Sequence, residues 1–92
     1  MAQRFEFIVE DPVGLYAGPA SQLVDCVKQL YSHMTLRYNN KEVNLKSTMG
    51  VLSLGIPAKA KIEIIAEGED EKRAIEIVKD KIIELNISSI ED

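Results

Sequence analysis

Few residues in this chain are equipped for catalysis. There is one His and one Cys among 92 residues. An imidazole titrates near neutral pH, so a His is the usual group for moving a proton or accepting a phosphoryl group. His33 is that residue, but its neighbours in YSHMT supply no base, no phosphate cradle and no metal partner. It reads as a half-exposed His at a strand edge. Cys26 has no partner for an internal disulfide, and with His33 it falls short of the three or four ligands of a usual zinc site. Neither a metal nor a cofactor is expected. The sparse cysteine fits a reducing, cytoplasmic setting.

The charges are more informative. Eleven basic and fifteen acidic residues give a net charge of −4, which argues against direct nucleic-acid binding. Yet residues 13–24 (VGLYAGPASQLV) and 47–57 (STMGVLSLGIP) carry no charge at all. Each stretch sits where a loop runs into a helix. They are either two buried turns or an uncharged interaction surface built from two helix starts. Helix N-termini offer unpaired N–H groups and partial positive charge, so such a surface would tolerate a phosphoryl group.

The elements around these stretches follow from hydrophobic period. Residues 4–10 alternate, with Phe5, Phe7 and Val9 on one side, which predicts a half-buried strand. From Pro19 the period changes: Ala20, Leu23, Val24, Val27 and Tyr31 share one helical face. Proline suits a first helical turn, where its missing N–H would have had no partner. Strands are predicted over 34–38 and 41–45, joined by Asn39-Asn40, a pair that tolerates positive φ. Residues 47–54 open on Ser and stop at Gly55, the signature of a two-turn helix. A fourth strand over 61–67 and a long helix over 70–85 complete the order βαββαβα. That order predicts an α+β domain: a mostly antiparallel four-stranded sheet with three helices on one face.

The length allows one domain, spanning 1–92, with an economical core. The opening MAQRFEFIVE carries charges and no apolar run, so it does not read as a signal peptide. No stretch approaches the length of a membrane span.

Several motifs resemble one family. NLKSTMGVLSLGI, residues 44–56, is similar to the segment around the regulatory serine of HPr, the small phosphocarrier of the bacterial sugar phosphotransferase system. It has the form typical of low-GC Gram-positive bacteria. GLYAGPA, residues 14–20, resembles the HPr active-site motif GLHARPA, and AEGEDE, residues 66–71, resembles the opening of the family's last helix. MAQ at the start and YNNKEVNLKS, residues 38–47, fit as well. The resemblance covers nearly the whole chain, and it implies an open-faced β-sandwich.

The departures bear on function. In HPr the motif His accepts a phosphoryl group and passes it on; here Tyr16 stands there, and Gly18 stands for the motif Arg. A phenol ionises near pH about 10 and is a poor nucleophile at neutral pH. A phosphotyrosine would be a stable ester and a poor donor. Glycine lacks the bidentate contacts that guanidinium makes to phosphate. The serine site keeps its pattern: Lys46, Ser47, Met49 and the SLGI run match, with Thr48 for the common Ile. By itself Ser47 reads as a helix N-cap. The resemblance adds phosphorylation there by HPr kinase/phosphorylase, with the product bound by a catabolite-control transcriptional regulator.

The expectation is therefore a non-enzymatic regulatory protein, switched at Ser47. Its partner surface would comprise Tyr16, Ala17, Gly18, Pro19, Lys46, Ser47, Thr48, Met49 and Leu52, although Leu52 also reads as core. Two alternatives stay open: a phosphocarrier working through Tyr16 or His33, and an unphosphorylated binding module on the same fold.

Overall fold

The computed structural model describes residues 1–89, so residues 90–92 of the expected domain lie outside the described residues. Seven elements follow in the expected order: β1 (Gln3–Ile8), α1 (Ala17–Asp25), β2 (His33–Tyr38), β3 (Lys41–Asn44), α2 (Thr48–Leu52), β4 (Lys61–Glu67) and α3 (Glu71–Glu84). The sheet order is β1-β4-β2-β3, and every neighbouring pair is antiparallel. Asn39 and Asn40, at φ 53° and 65°, turn the β2–β3 hairpin as their side chains predict.

Strand alternation makes the layers. Phe7 stands opposite Ile62, Phe5 and Leu36 flank Ile64, and Met34 stands opposite Ala66. Of these only Phe5 is not fully buried, and α3 adds Ala74, Ile75, Val78 and Ile82 to the same core. All three helices belong to this face. The opposite face is open and charged. Glu63 lies between Arg4 and Arg37 at 3.6 and 3.7 Å, and Lys61 reaches Glu6 at 3.5 Å. Such exposed pairs are worth roughly 0–1 kcal/mol each, so the apolar face carries the fold. Among the described residues, no helix is long and apolar enough to cross a membrane.

Most element ends move by one or two residues from the sequence pattern, and three shifts stand out. β1 ends at Ile8 because Val9 leaves the regular ladder, bonding Ala60 through its N–H and Lys59 through its carbonyl. α1 begins at Ala17, two residues before Pro19. It also ends at Asp25, so Tyr31 is not on its apolar face but 83% exposed in the loop beyond. Tight turns replace the helix there: Val27 donates to Val24 and Leu30 to Val27. The next two amides, of Tyr31 and Ser32, are taken by the Asp70 carboxylate, so the helix cannot continue.

Beyond α3 the chain turns back through Asn86 at φ 59°, with Ile87 donating to Ile82 and Asn86 to Ile83. This is a Schellman ending with Asn in the left-handed position. Ile87 is buried and its carbonyl accepts the Glu10 amide at 2.8 Å. Ser88 and Ser89 then donate to the Glu10 carboxylate, tying the segment after α3 to the loop after β1.

Candidate functional site

The two charge-free stretches meet. The Leu15 amide donates to the Ile56 carbonyl at 3.0 Å, and α1 packs on α2. Gly14 makes the approach possible: at φ 87°, a β-carbon there would sit 2.4 Å from the Ile56 oxygen. Both expectations for these stretches hold in part. Leu15, Pro19, Ala20, Leu23, Val24, Val51 and Ile56 are buried, while Val13, Tyr16 and Met49 are 67%, 45% and 77% exposed. The result is an uncharged front on an apolar back.

Tyr16 is the N-cap residue of α1, in extended conformation, and its carbonyl accepts the Ala20 amide. Its side chain makes no capping bond. Ala17 and Gly18 beside it are exposed. A β-carbon on Gly18 would find nothing nearer than the Tyr16 ring at 4.0 Å. Pro19 corrects the expected partner surface. It is buried within α1, so it offers little surface of its own.

Ser47 is the N-cap of α2. Its Oγ accepts the Gly50 amide at 3.0 Å, and its carbonyl accepts the Val51 amide. The ordinary capping role expected of this serine is therefore present. Thr48 is half-buried and Met49 projects into solvent. Leu52 is half-buried against the core, which makes packing its main role, as its alternative reading had it.

Lys46 Nζ donates to the Leu30 carbonyl at 2.6 Å, in the loop after α1. The same peptide unit is held from its other side. The Tyr31 amide donates to Asp70 Oδ2 at 2.9 Å, and both the amide and the hydroxyl of buried Ser32 donate to Asp70 Oδ1. The Ser32 hydroxyl first, and the Tyr31 amide next, hold the Asp70 carboxyl below the usual carboxylate range. Sequence reasoning found neither contact: no local spacing links residues 16 or 38 positions apart.

The remaining chemical groups lie elsewhere. His33 is exposed at the first position of β2, opposite Glu67; β2 is an inner strand, so His33 marks a strand end and not a sheet edge. Burial pushes the Cys26 thiol up, away from the reactive thiolate, and Sγ donates to the Leu23 carbonyl. Among the described residues, no three His, Cys, Asp or Glu side chains gather as a metal site. A concavity of about 550 Å³ lies on the open sheet face, lined by Arg37, Asn39, Asn40, Lys61 and Glu63 among others, with its charges mutually paired.

A family model described as the PTS HPr component phosphorylation site matches residues 3–84. The chain belongs to the HPr family. Solved structures agree. The histidine-containing phosphocarrier protein of Mycoplasma superposes with a TM-score of 0.94 at 35% identity, covering 96% of this chain and all of its own length. Phosphocarrier protein HPr of Bacillus anthracis gives 0.79 at 30% identity, over 87% of this chain and 95% of its own. Crh of Bacillus subtilis, a catabolite repression protein solved as a swapped dimer, gives 0.70 at 36% identity, over 79% of this chain and 84% of its own. The HPr fold is thus the open-faced sandwich that the motifs implied, and the chain is of the phosphotransferase and catabolite-repression HPr kind.

Proposed function

We propose that this HPr-family chain is a non-catalytic regulatory protein of the cytoplasm, controlled by phosphorylation at Ser47 and acting by binding protein partners. The observation that carries this reading is the start of α1. Tyr16 caps the helix where the HPr motif places its phosphoryl-accepting His, and exposed Gly18 follows where the motif has Arg. A relay carrier needs a nucleophile that is also a good leaving group, and this helix start offers neither a ring nitrogen nor a guanidinium. His33 does not substitute, because it stands alone at the end of β2.

Ser47 supports the regulatory half of the reading. In the kinase step, Ser47 Oγ would bond to the γ-phosphorus of ATP, the bridging bond to ADP would break, and the hydroxyl proton would leave. The product gains about −1.5 to −2 charge beside an otherwise uncharged front. HPr kinase/phosphorylase and a catabolite-control transcriptional regulator are the partners that this chemistry fits. Met49 and Tyr16 are the exposed apolar contacts available to them.

Two incubations test the proposal. With HPr kinase and ATP, mass spectrometry is expected to find one phosphate, at Ser47, and none on Ser47→Ala. With phosphoenolpyruvate and the first enzyme of the relay, no acid-labile phosphate is expected. Labile phosphate in the second assay would overturn the non-catalytic role, and an unmodified Ser47 in the first would overturn the switch.

A further inference from the structure

Lys46 and Asp70 grip one peptide unit from opposite sides. The Leu30 carbonyl accepts Lys46 Nζ, and the Tyr31 amide of the same unit donates to Asp70 Oδ2. A carbonyl that accepts from an ammonium polarises its own peptide, which strengthens the hydrogen bond donated by the N–H on the far side. The loop between α1 and β2 is thereby held between the residue preceding Ser47 and the start of α3.

We propose that Lys46 is a latch on this loop, which phosphorylation of Ser47 opens. The inference rests on the reading of Ser47 as a modified residue and adds what the modification does inside the fold. The Lys46 ammonium has one neutral carbonyl as its acceptor. A phosphoserine at the next position would present a dianion with three acceptor oxygens. The bond to the Leu30 carbonyl is charge-assisted through its donor alone, whereas a phosphate adds the Coulomb attraction of an opposite charge on the acceptor side. Reach is no obstacle, since consecutive α-carbons are about 3.8 Å apart and the lysine stem is flexible. Lys46 is the one cation between residues 42 and 58, and so the cation next to the phosphate along the chain. Lys46 therefore moves to the phosphate, the Leu30 carbonyl turns to water, and the Tyr31–Asp70 bond weakens. A change at the α2 start is thus reported at exposed Tyr31 and at the start of α3.

The test uses the whole chain labelled with nitrogen-15. Phosphoserine is placed at position 47 during translation, so the latch is examined independently of any kinase. The Tyr31 amide is expected to shift and to exchange with deuterated water roughly fivefold faster, as for loss of one hydrogen bond. Lys46→Met, which keeps the apolar stem, is expected to give that change without phosphate, and phosphoserine added to it no further change at Tyr31. Lys46→Arg is expected to behave as the native chain. An unchanged Tyr31 amide in chain carrying phosphoserine would overturn the latch, as would an undiminished response in Lys46→Met. Failure of the kinase to modify Ser47 would instead overturn the reading of the serine, and the two failures are read in separate assays.

Discussion

Gly14 lies against the Ile56 carbonyl, where the two charge-free stretches meet. A β-carbon at position 14 would lie 2.4 Å from the Ile56 carbonyl oxygen and 2.9 Å from the Pro57 backbone, at a φ of 87°. Gly14→Ala must therefore both strain the backbone and push the α1 start off the α2–β4 loop. The expected loss is about 3 kcal/mol in urea unfolding. Gly55 is the control. Its φ of 57° is also left-handed, but a β-carbon there meets nothing within 4 Å. Gly55→Ala is expected to cost about 1 kcal/mol, from strain alone. Equal losses at the two positions would show that contact between the stretches contributes nothing.

Tyr16 and Gly18 together predict a gain of function. A β-carbon at Gly18 meets only the Tyr16 ring at 4.0 Å, and the position is exposed, so a side chain can start there without displacing backbone. Gly18→Arg is expected to raise stability by about 0.5 kcal/mol, since glycine is a poor helix residue. Tyr16→His combined with Gly18→Arg restores both groups of the family motif. The double variant is expected to take acid-labile phosphate from phosphoenolpyruvate through the first relay enzyme, and the native chain is expected to take none. A double variant that folds and stays unlabelled would mean that Tyr16 and Gly18 are not the only barriers to relay chemistry.

Capping and the proposed phosphorylation are separable at Ser47. Its Oγ accepts the Gly50 amide at 3.0 Å, so Ser47→Ala is expected to cost about 1 kcal/mol along with any phosphorylation. Ser47→Asp keeps an acceptor at the cap and is expected to retain most of that stability, measured by thermal unfolding, while still refusing phosphate. If both variants were equally destabilised, the cap would not be the source of the loss.

How much of this was legible in the sequence depended on whether the cause was local. The β4 boundaries, the Asn39-Asn40 turn and the Ser47 cap are set by side chains within a few residues, and they were read correctly. The end of α1 was not. Tyr31 has the right spacing to continue the apolar stripe, but Asp70, 39 residues on, captures its amide. Pro19 was read as surface because its motif is a contact motif, yet it is helical position and core packing that place its ring. The Lys46 motif position is local, but the acceptor of its ammonium, the Leu30 carbonyl in another loop, has no signal within a few residues. Each miss is a long-range bond or packing contact overriding a local pattern.

Asp70 and Glu10 set the response to acid. The Ser32 hydroxyl and Tyr31 amide lower the Asp70 carboxyl, and the Ser89 amide and hydroxyl lower Glu10. For a carboxylate lowered by folding, the unfolded chain binds the proton more tightly. Its contribution is therefore complete above the ordinary carboxylate range and is lost as pH falls through that range toward the lower folded value. Urea midpoints measured from about pH 7 down to about pH 2 are expected to fall in this window. Asp70→Asn keeps the shape and removes the titrating group, so it is expected to be less stable at neutral pH and to fall less in acid. Glu10→Gln is expected to flatten the curve in the same way. Its effect on hydrogen exchange is confined to Ser89 and its neighbours, because Glu10 holds only the segment after α3. Curves for Asp70→Asn running parallel to the native one at every pH would exclude Asp70 as the acid-sensitive clasp between β2 and α3.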